Sequence, residues 1–171
     1  TGQRRLWWRN QLRFWQVGSW AETKVSGIVR TIYSRVSSLA FSHDSRLLAA
    51  HIDDDVHMWE MASGREVLKL DAPIKIKVGQ YVLGEIVFSP DDALLASGGR
   101  EVIVWKMAEG TVLYKFPTQA KSVAFSPDGR LLAHSGKGLV LRDAESGKEV
   151  RTLVHPGGVE AMAFSPDGRT V

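Results

Sequence analysis

The sequence contains no cysteine, which excludes disulfides and thiolate chemistry and leaves the redox compartment open. It also has no apolar run approaching the ~18 residues that suggest a membrane span, so we expect no membrane partner. The formal net charge of +3 is small for 171 residues. Composition alone therefore fits an ordinary soluble protein and identifies no partner class.

The small net charge conceals a basic first segment. Residues 1–35 carry seven lysines and arginines against one glutamate, whereas acidic residues outnumber basic ones in the remainder. Cations and aromatics alternate there, a pattern that can follow phosphates and stack bases. The members of this set are Arg4, Arg5, Trp7, Trp8, Arg9, Arg13, Phe14 and Trp15. Two strands with tryptophan inward and arginine outward explain the same alternation, so nucleic acid stays an alternative that we do not favour.

A strand–turn–strand unit recurs along the chain. Its clearest copy runs from Val123 to Ala133 and contains Phe-Ser-Pro-Asp-Gly, in which proline, aspartate and glycine favour a tight turn. The phenylalanines that mark the four copies are Phe41, Phe88, Phe125 and Phe164, with steps of 47, 37 and 39 residues. A period near forty residues predicts a repeat architecture rather than one central core.

Two further β-prone segments follow each phenylalanine. The first ends at Trp59, Trp105 or Arg142, 17 or 18 residues after the phenylalanine, and runs into a turn that ends in glycine. The second is another apolar alternation. Each repeat is therefore predicted to form four short antiparallel strands.

The repeats predict the following boundaries along residues 1–171. We expect a partial blade at 1–35, blades at 36–70, 80–116 and 120–153, the start of another at 157–171, and an insertion between blades at 71–79. In the first segment, Arg9 and Asn10 would form the turn between a second and a third strand that ends at Trp15. The predicted fold is all-β, a partial propeller of about four four-stranded antiparallel blades that is incomplete at both ends.

These features resemble the WD-repeat family and its β-propellers. The resemblance rests on Phe-Ser-Pro-Asp-Gly, Leu-Leu-Ala, a strand ending in tryptophan and a glycine turn, at one spacing in several copies. It implies blades packed radially around an axis. It also implies a polar network of histidine, serine, tryptophan and aspartate, of which this chain retains only part. The retained members are Trp15, Trp59, Trp105, Asp54, Ser97 and His155.

Propellers of this family close with more blades than this chain holds. An open arc would expose apolar faces and unpaired strand edges. Three explanations stay open: a piece of a longer propeller, self-association into a ring, or pairing with another chain. We favour the first, because repeat arrays need closure or capping.

Two stretches contain residue types that occur in metal and catalytic sites. The stretch from His51 to His57 contains ligand-like side chains, but we favour a hairpin turn with solvated acids, which would also prevent the two histidines from aligning on one face. The pair His43–Asp44 and the repeated serines invite a hydrolase, yet nothing resembles a nucleophile elbow. We therefore expect no enzyme activity, no metal and no cofactor.

The resemblance implies a cytoplasmic scaffold for protein–protein interaction that binds partners through loops at one end of the blades. Those loops would present Arg9, Asn10, Asp53, Asp54, Gln80, Tyr81, Arg100, Glu101, Gln119 and Lys137. One alternative is a regulatory propeller attached to a catalytic domain such as a kinase, nucleotidase or protease. Another is a propeller of a peptidase or of a sugar-binding periplasmic protein, which the strand-ending tryptophans disfavour.

Overall fold

The structure, a computed structural model, describes residues 9–10, 14–19, 21–23, 31–32, 36–52, 55–70 and 84–171. Every regular element in these ranges is a β-strand, which confirms the predicted all-β class. Within the same ranges no helix has the length and apolar character needed to cross a membrane. The predicted insertion at 71–79 lies outside the described residues.

The described residues of the first segment form two short strand pairs. Strand β1 (Arg9–Asn10) pairs with β4 (Thr31–Ile32), and β2 (Phe14–Trp15) pairs with β3 (Glu22–Thr23), both antiparallel. The prediction of a turn at Arg9 and Asn10 was wrong, because these residues form a strand. Their partner lies some twenty residues further along, and local turn propensity carries no information about such a pairing.

Three antiparallel four-stranded sheets follow, each with its strands in chain order. Blade I comprises β5 (Val36–Phe41), β6 (Leu47–Ile52), β7 (Asp55–Glu60) and β8 (Glu66–Leu70). Blade II comprises β9 (Ile86–Phe88), β10 (Leu94–Ser97), β11 (Val102–Lys106) and β12 (Thr111–Phe116). Blade III comprises β13 (Val123–Phe125), β14 (Leu131–Ser135), β15 (Gly138–Asp143) and β16 (Glu149–Val154). The prediction of antiparallel four-stranded units is confirmed.

The register is the same in all three blades. A leucine of the second strand lies opposite the next-to-last residue of the third strand. These pairs are Leu48–Trp59, Leu95–Trp105 and Leu132–Arg142. Because side chains of paired residues project from the same face of a sheet, Arg142 occupies in blade III the position that tryptophan holds in the others.

The repeated turn is closed by its serine and aspartate. In the third copy, the Ser126 hydroxyl donates to Asp128 Oδ1 at 2.6 Å and accepts the Leu131 N–H at 2.9 Å. The same two bonds recur in the other three copies. In every copy the hydrogen bond from the serine hydroxyl lowers the pKa of the aspartate most, and a hydrogen bond from a backbone N–H lowers it further. The fourth turn residue has positive φ, which glycine adopts without strain and Asp92 adopts at 58°.

The first strands of the blades lie side by side and are joined by a chain of hydrogen bonds. The residue three places before each phenylalanine accepts from the next blade: Ser38 from Ile86 N, Glu85 from Val123 N, and Ser122 from Met162 N. Contacts of β9 with both β5 and β13 put the first strands of the three blades next to one another. This is the order expected for blades around an axis.

Apolar clusters fill the spaces between neighbouring sheets. One cluster joins Met58 and Leu70 of blade I to Phe88 and Trp105 of blade II. A second joins Val102 and Val104 of blade II to Val123 and Leu132 of blade III. The core is therefore divided between blade interfaces, as expected for a repeat protein.

Residues 157–171 repeat the turn but form no strand. The Ser165 turn keeps the bonds of the earlier copies, and Met162 N reaches Ser122 of blade III as Ile86 N reaches Ser38. This placement agrees with the start of another blade, which stays a prediction.

Candidate interaction site between blades II and III

The interface between blades I and II is filled by Trp105, a residue of the third strand of blade II. Its side chain is 1% exposed and belongs to the apolar cluster that includes Leu70, the last residue of β8. Ser97 lies on the neighbouring strand, two residues beyond the leucine that faces the tryptophan. This interface is closed by apolar packing.

Three replacements distinguish the interface between blades II and III. Blade III has Arg142 at the position that Trp105 holds in blade II, and His134 at the position of Ser97. Blade II has Phe116 at the position that Leu70 holds in blade I. The three side chains meet. The guanidinium carbon of Arg142 lies 3.8 Å from the centre of the Phe116 ring, and the His134 ring stacks on Phe116 at 6.2 Å. An arginine on an aromatic face gains cation–π attraction that grows when water is excluded.

Polar contacts fix the guanidinium from three sides. Arg142 Nε donates to His134 Nε2 at 3.0 Å, and Nη1 donates to the carbonyl oxygen of Gly147 at 3.2 Å. Nη2 lies 3.5 Å from a carboxylate oxygen of Glu149. The arginine side chain is only 14% exposed, so these contacts offset much of the cost of burying its charge.

His134 is held as a neutral imidazole. It is fully buried, its Nδ1 donates to the Ser135 carbonyl at 3.0 Å, and its Nε2 accepts from Arg142. Burial lowers the pKa of His134, and the positive charge of Arg142 lowers it further, while the bond to Ser135 partly opposes both. A protonated His134 ring would place its Nε2–H against the Nε–H of Arg142, so the hydrogen bond between them requires the uncharged histidine.

A cavity of about 640 Å³ opens over this group. Arg142 and His134 line it from the sheet of blade III, and Gln119 and Lys137 line it from two loops. Thr152 of β16, Glu149 and the segment 158–160 also line it. The cavity therefore lies where the apolar fill of the preceding interface is replaced by polar side chains.

The structure brings together four of the predicted loop residues at one end of blades II and III. Arg100 and Glu101 join β10 to β11, and the adjacent Gly99 exchanges two backbone hydrogen bonds with Ala120 at 2.7 and 2.9 Å. Gln119 thus lies next to that loop and shares the cavity with Lys137. A Cβ on Gly98 would come within 2.6 Å of the Ala120 carbonyl oxygen, so glycine permits this close approach.

The other predicted loop residues do not belong to this group. Asp53, Asp54, Gln80 and Tyr81 lie outside the described residues. Arg9 and Asn10 form β1, described above. The basic and aromatic segment considered for nucleic acid lies mostly outside the described ranges as well.

The tryptophans and polar residues carried over from the family pattern differ in their surroundings. Trp59 is fully buried, and its indole N–H has no hydrogen-bond partner within the described residues, where Ala50 occupies the serine position. Ser97 is buried, whereas Trp15 is 55% exposed. His155 is exposed, and its ring makes no hydrogen bond to the described part of the chain.

The histidines considered for metal binding face apart. His57 is paired with Ala50, the residue next to His51, so the two histidines project from opposite faces of blade I. His57 instead lies 2.7 Å from Glu66 and stacks on Trp59. Among the described residues no cluster of three metal-ligating side chains occurs.

His43, considered as a hydrolase residue, joins two turns. Asp92 Oδ1 accepts from the His43 backbone N–H at 2.8 Å and lies 3.0 Å from the ring Nδ1, while Oδ2 accepts from Asp44 N at 3.0 Å. In the next pair of turns, Pro90 lies beside Gly129. The pair of His43 and Asp92 thus connects the turns of blades I and II. Between blades II and III, Pro90 and Gly129 occupy the equivalent positions.

A second groove, of about 790 Å³, lies at the opposite end of blades II and III. Its carboxylates Asp91 and Asp128 are already bonded within their own turns. The cations that line it, Lys106 and Arg130, are both exposed. Because the first cavity contains a largely buried cation, we place the candidate site at Arg142.

Sequence reasoning noted that Arg142 replaces tryptophan but missed His134 and Phe116. A comparison of the repeats position by position would have revealed both as departures from serine and leucine. Their contact would still have been hidden, because Phe116 belongs to the neighbouring blade.

Comparison with known proteins supports the repeat assignment. The family described as "WD domain, G-beta repeat" matches residues 27–60 and 147–171. A search of curated proteins finds no match to this chain. WD repeats generally mediate protein–protein interactions, and their domains are typically non-catalytic. The two matched segments and the three four-stranded sheets support a WD-repeat family for this chain.

Proposed function

We propose that this chain is a protein-interaction scaffold that contacts its partner through the loop end of blades II and III. The observation that carries the proposal is that Gln119 and Lys137 line one cavity, and that the loop of Arg100 and Glu101 is joined to the segment of Gln119 by the two backbone hydrogen bonds between Gly99 and Ala120. Loops on a rigid frame are where binding surfaces usually form. The frame here is joined between blades by the bonds of Ser38, Glu85 and Ser122.

Charge reversal at the two ends of the blades tests the proposal. One variant combines Gln119→Glu with Lys137→Glu, and the matched control combines Glu109→Lys with Glu145→Lys, whose exposed residues lie in turns at the opposite end. We expect proteins that co-purify with the wild type to be retained by the control and lost by the loop variant. Each retained protein should then bind directly when both components are purified. Equal retention by both variants would contradict the proposal.

We also propose that further blades complete this arc, either in a longer chain or in a second copy. Support comes from apolar side chains exposed on the first strand of blade I, where Leu39 and Phe41 are 48% and 52% exposed. Light scattering on the purified chain measures the mass directly. A compact dimer supports closure by self-association, and a monodisperse monomer that does not aggregate counts against an incomplete arc.

A further inference from the structure

The cavity between blades II and III contains an arginine whose donors are not all used. A guanidinium has five N–H groups. The neighbours of Arg142 within the described chain, namely His134, Gly147 and Glu149, account for three of them. At least two donors therefore have no protein partner there, on a side chain that is largely buried. Such a group gains more from an anion than an exposed cation does, because little water competes with the interaction.

We propose that this cavity is a subsite for one anionic group, a carboxylate or a phosphate, carried by an extended segment of a protein partner. The inference rests on the proposed scaffold function and adds the chemistry that the partner must present. Arg142 would bind the anion at the floor of the cavity, and Lys137 would attract it at the rim.

The charges around the cavity leave an excess of positive potential. The ammonium of Lys121 is neutralised by both carboxylate oxygens of Glu160, at 2.6 and 2.7 Å. Glu149 lies at the longer distance of 3.5 Å from Arg142 and is also bonded to Thr152. Lys137 is exposed and has no ionic partner among the described residues. An entering anion would thus meet one unpaired cation and a second that is only weakly paired.

The preceding interface supplies an internal comparison. There the equivalent position holds Trp105, which is buried in an apolar cluster and has no charge to offer. Restoring that residue in blade III should therefore fill the cavity and remove the anion subsite together. This gives a variant that removes binding without leaving a void.

The first experiment uses inorganic phosphate as the probe and follows backbone amide shifts of the purified chain. We expect saturable shifts at Gly136, Lys137 and other cavity residues, weakened roughly tenfold or more by Arg142→Gln, since a hydrogen bond to a charged group is lost. Arg151→Gln is the matched control, because Arg151 pairs with Leu141 and so lies on the opposite face of the same strands. Equal affinity in the wild type and Arg142→Gln, or no saturable shift in the wild type, would overturn the proposal.

Two further variants separate anion binding from folding. Arg142→Trp, combined with His134→Ser, should keep the thermal transition and abolish phosphate binding. Glu149→Gln should strengthen binding, because it removes the carboxylate that competes for Arg142. A Glu149→Gln variant that binds phosphate more weakly than the wild type would count against the assigned geometry.

Peptides then identify the source of the anion. Three versions of one short flexible peptide carry glutamate, phosphoserine or glutamine at the same central position. Tighter binding of either charged peptide than of the glutamine peptide supports the subsite, and the tighter of the two identifies the group. Equal binding of all three would overturn it.

Failure of the anion subsite can be distinguished from failure of the scaffold function. A partner identified through the loop variants that binds Arg142→Gln as tightly as the wild type would refute the subsite and leave the scaffold function intact.

Discussion

Between blades I and II the next-to-last position of the third strand holds Trp105, which is 1% exposed and buried among apolar side chains. Between blades II and III the same position holds Arg142, which stacks on Phe116, bonds to His134 and borders a cavity of about 640 Å³. The backbone register is the same in both blades. One frame therefore tolerates two kinds of interface. Both contain an apolar cluster, but at this position the first is closed by a buried indole, whereas the second has a polar pair that leaves space.

The two arrangements should differ in stability. Burying an indole gains free energy in proportion to the apolar area removed from water. A buried cation, in contrast, gains little net stability even when it is paired, because its desolvation offsets the attraction.

Removal of the tryptophan should have the largest effect. Trp105→Ala is expected to lower the free energy of unfolding by about 3–5 kcal/mol, because it deletes a fully buried aromatic side chain and leaves a void. Chemical denaturation measures the change. Val112→Ala, at an exposed position of the same blade, is the control and should change it by less than about 0.5 kcal/mol. Comparable losses for the two variants would refute the view that Trp105 closes the interface.

Removal of the buried histidine should cost less. His134→Ala deletes the acceptor for Arg142 Nε and a ring that stacks on Phe116, so we expect a loss of roughly 2–3 kcal/mol. In the background of Arg142→Trp the same substitution should cost less, because no buried donor is left unpaired. Additive effects of the two changes, measured as a double-mutant cycle, would show that the side chains do not act as a pair.

Acid should weaken the interface between blades II and III. Since burial lowers the pKa of His134 in the folded protein, the unfolded chain binds a proton that the folded chain excludes. Stability should therefore be constant above the unfolded pKa of about 6.5 and decrease below it, by at most ~1.4 kcal/mol per pH unit. Denaturation of the wild type and His134→Gln between pH 5 and 7.5 measures this. The same pH slope in both proteins would assign the effect to another histidine.

The contact of the two turns at the first interface should have the smallest effect. Burial alone would raise the pKa of Asp92, but hydrogen bonds from the backbone and ring of His43 and from Asp44 N outweigh it and lower the pKa. Asp92→Asn should therefore cost about 1 kcal/mol at neutral pH. This contribution is present above the unfolded pKa of about 3.9 and is lost as the pH falls through the lower folded value. A difference from the wild type that persists undiminished at pH 3 would show that the carboxylate charge is not its source.

Much of the frame could be predicted because it depends on neighbours in the sequence. Ser126, Pro127, Asp128 and Gly129 define a turn through their own bonds and backbone preferences, and the structure contains that turn in four copies. The resemblance to the WD-repeat family also placed Gln119 and Lys137, which line the cavity, in loops at one end of the blades. The pairing of Arg9 and Asn10 with Thr31 and Ile32 was missed, since it joins segments that no local signal connects.

The sequence by itself determined the repeat, the four-stranded unit and the position at which a tryptophan gives way to Arg142, because periodicity and turn chemistry act over a few residues. Only the tertiary structure decided what that arginine meets. His134 lies on the adjacent strand of the same blade, and Phe116 lies on the outer strand of the preceding blade. Their distances depend on how two sheets pack, which is set by side-chain volumes on both faces and not by the order of residues along either strand.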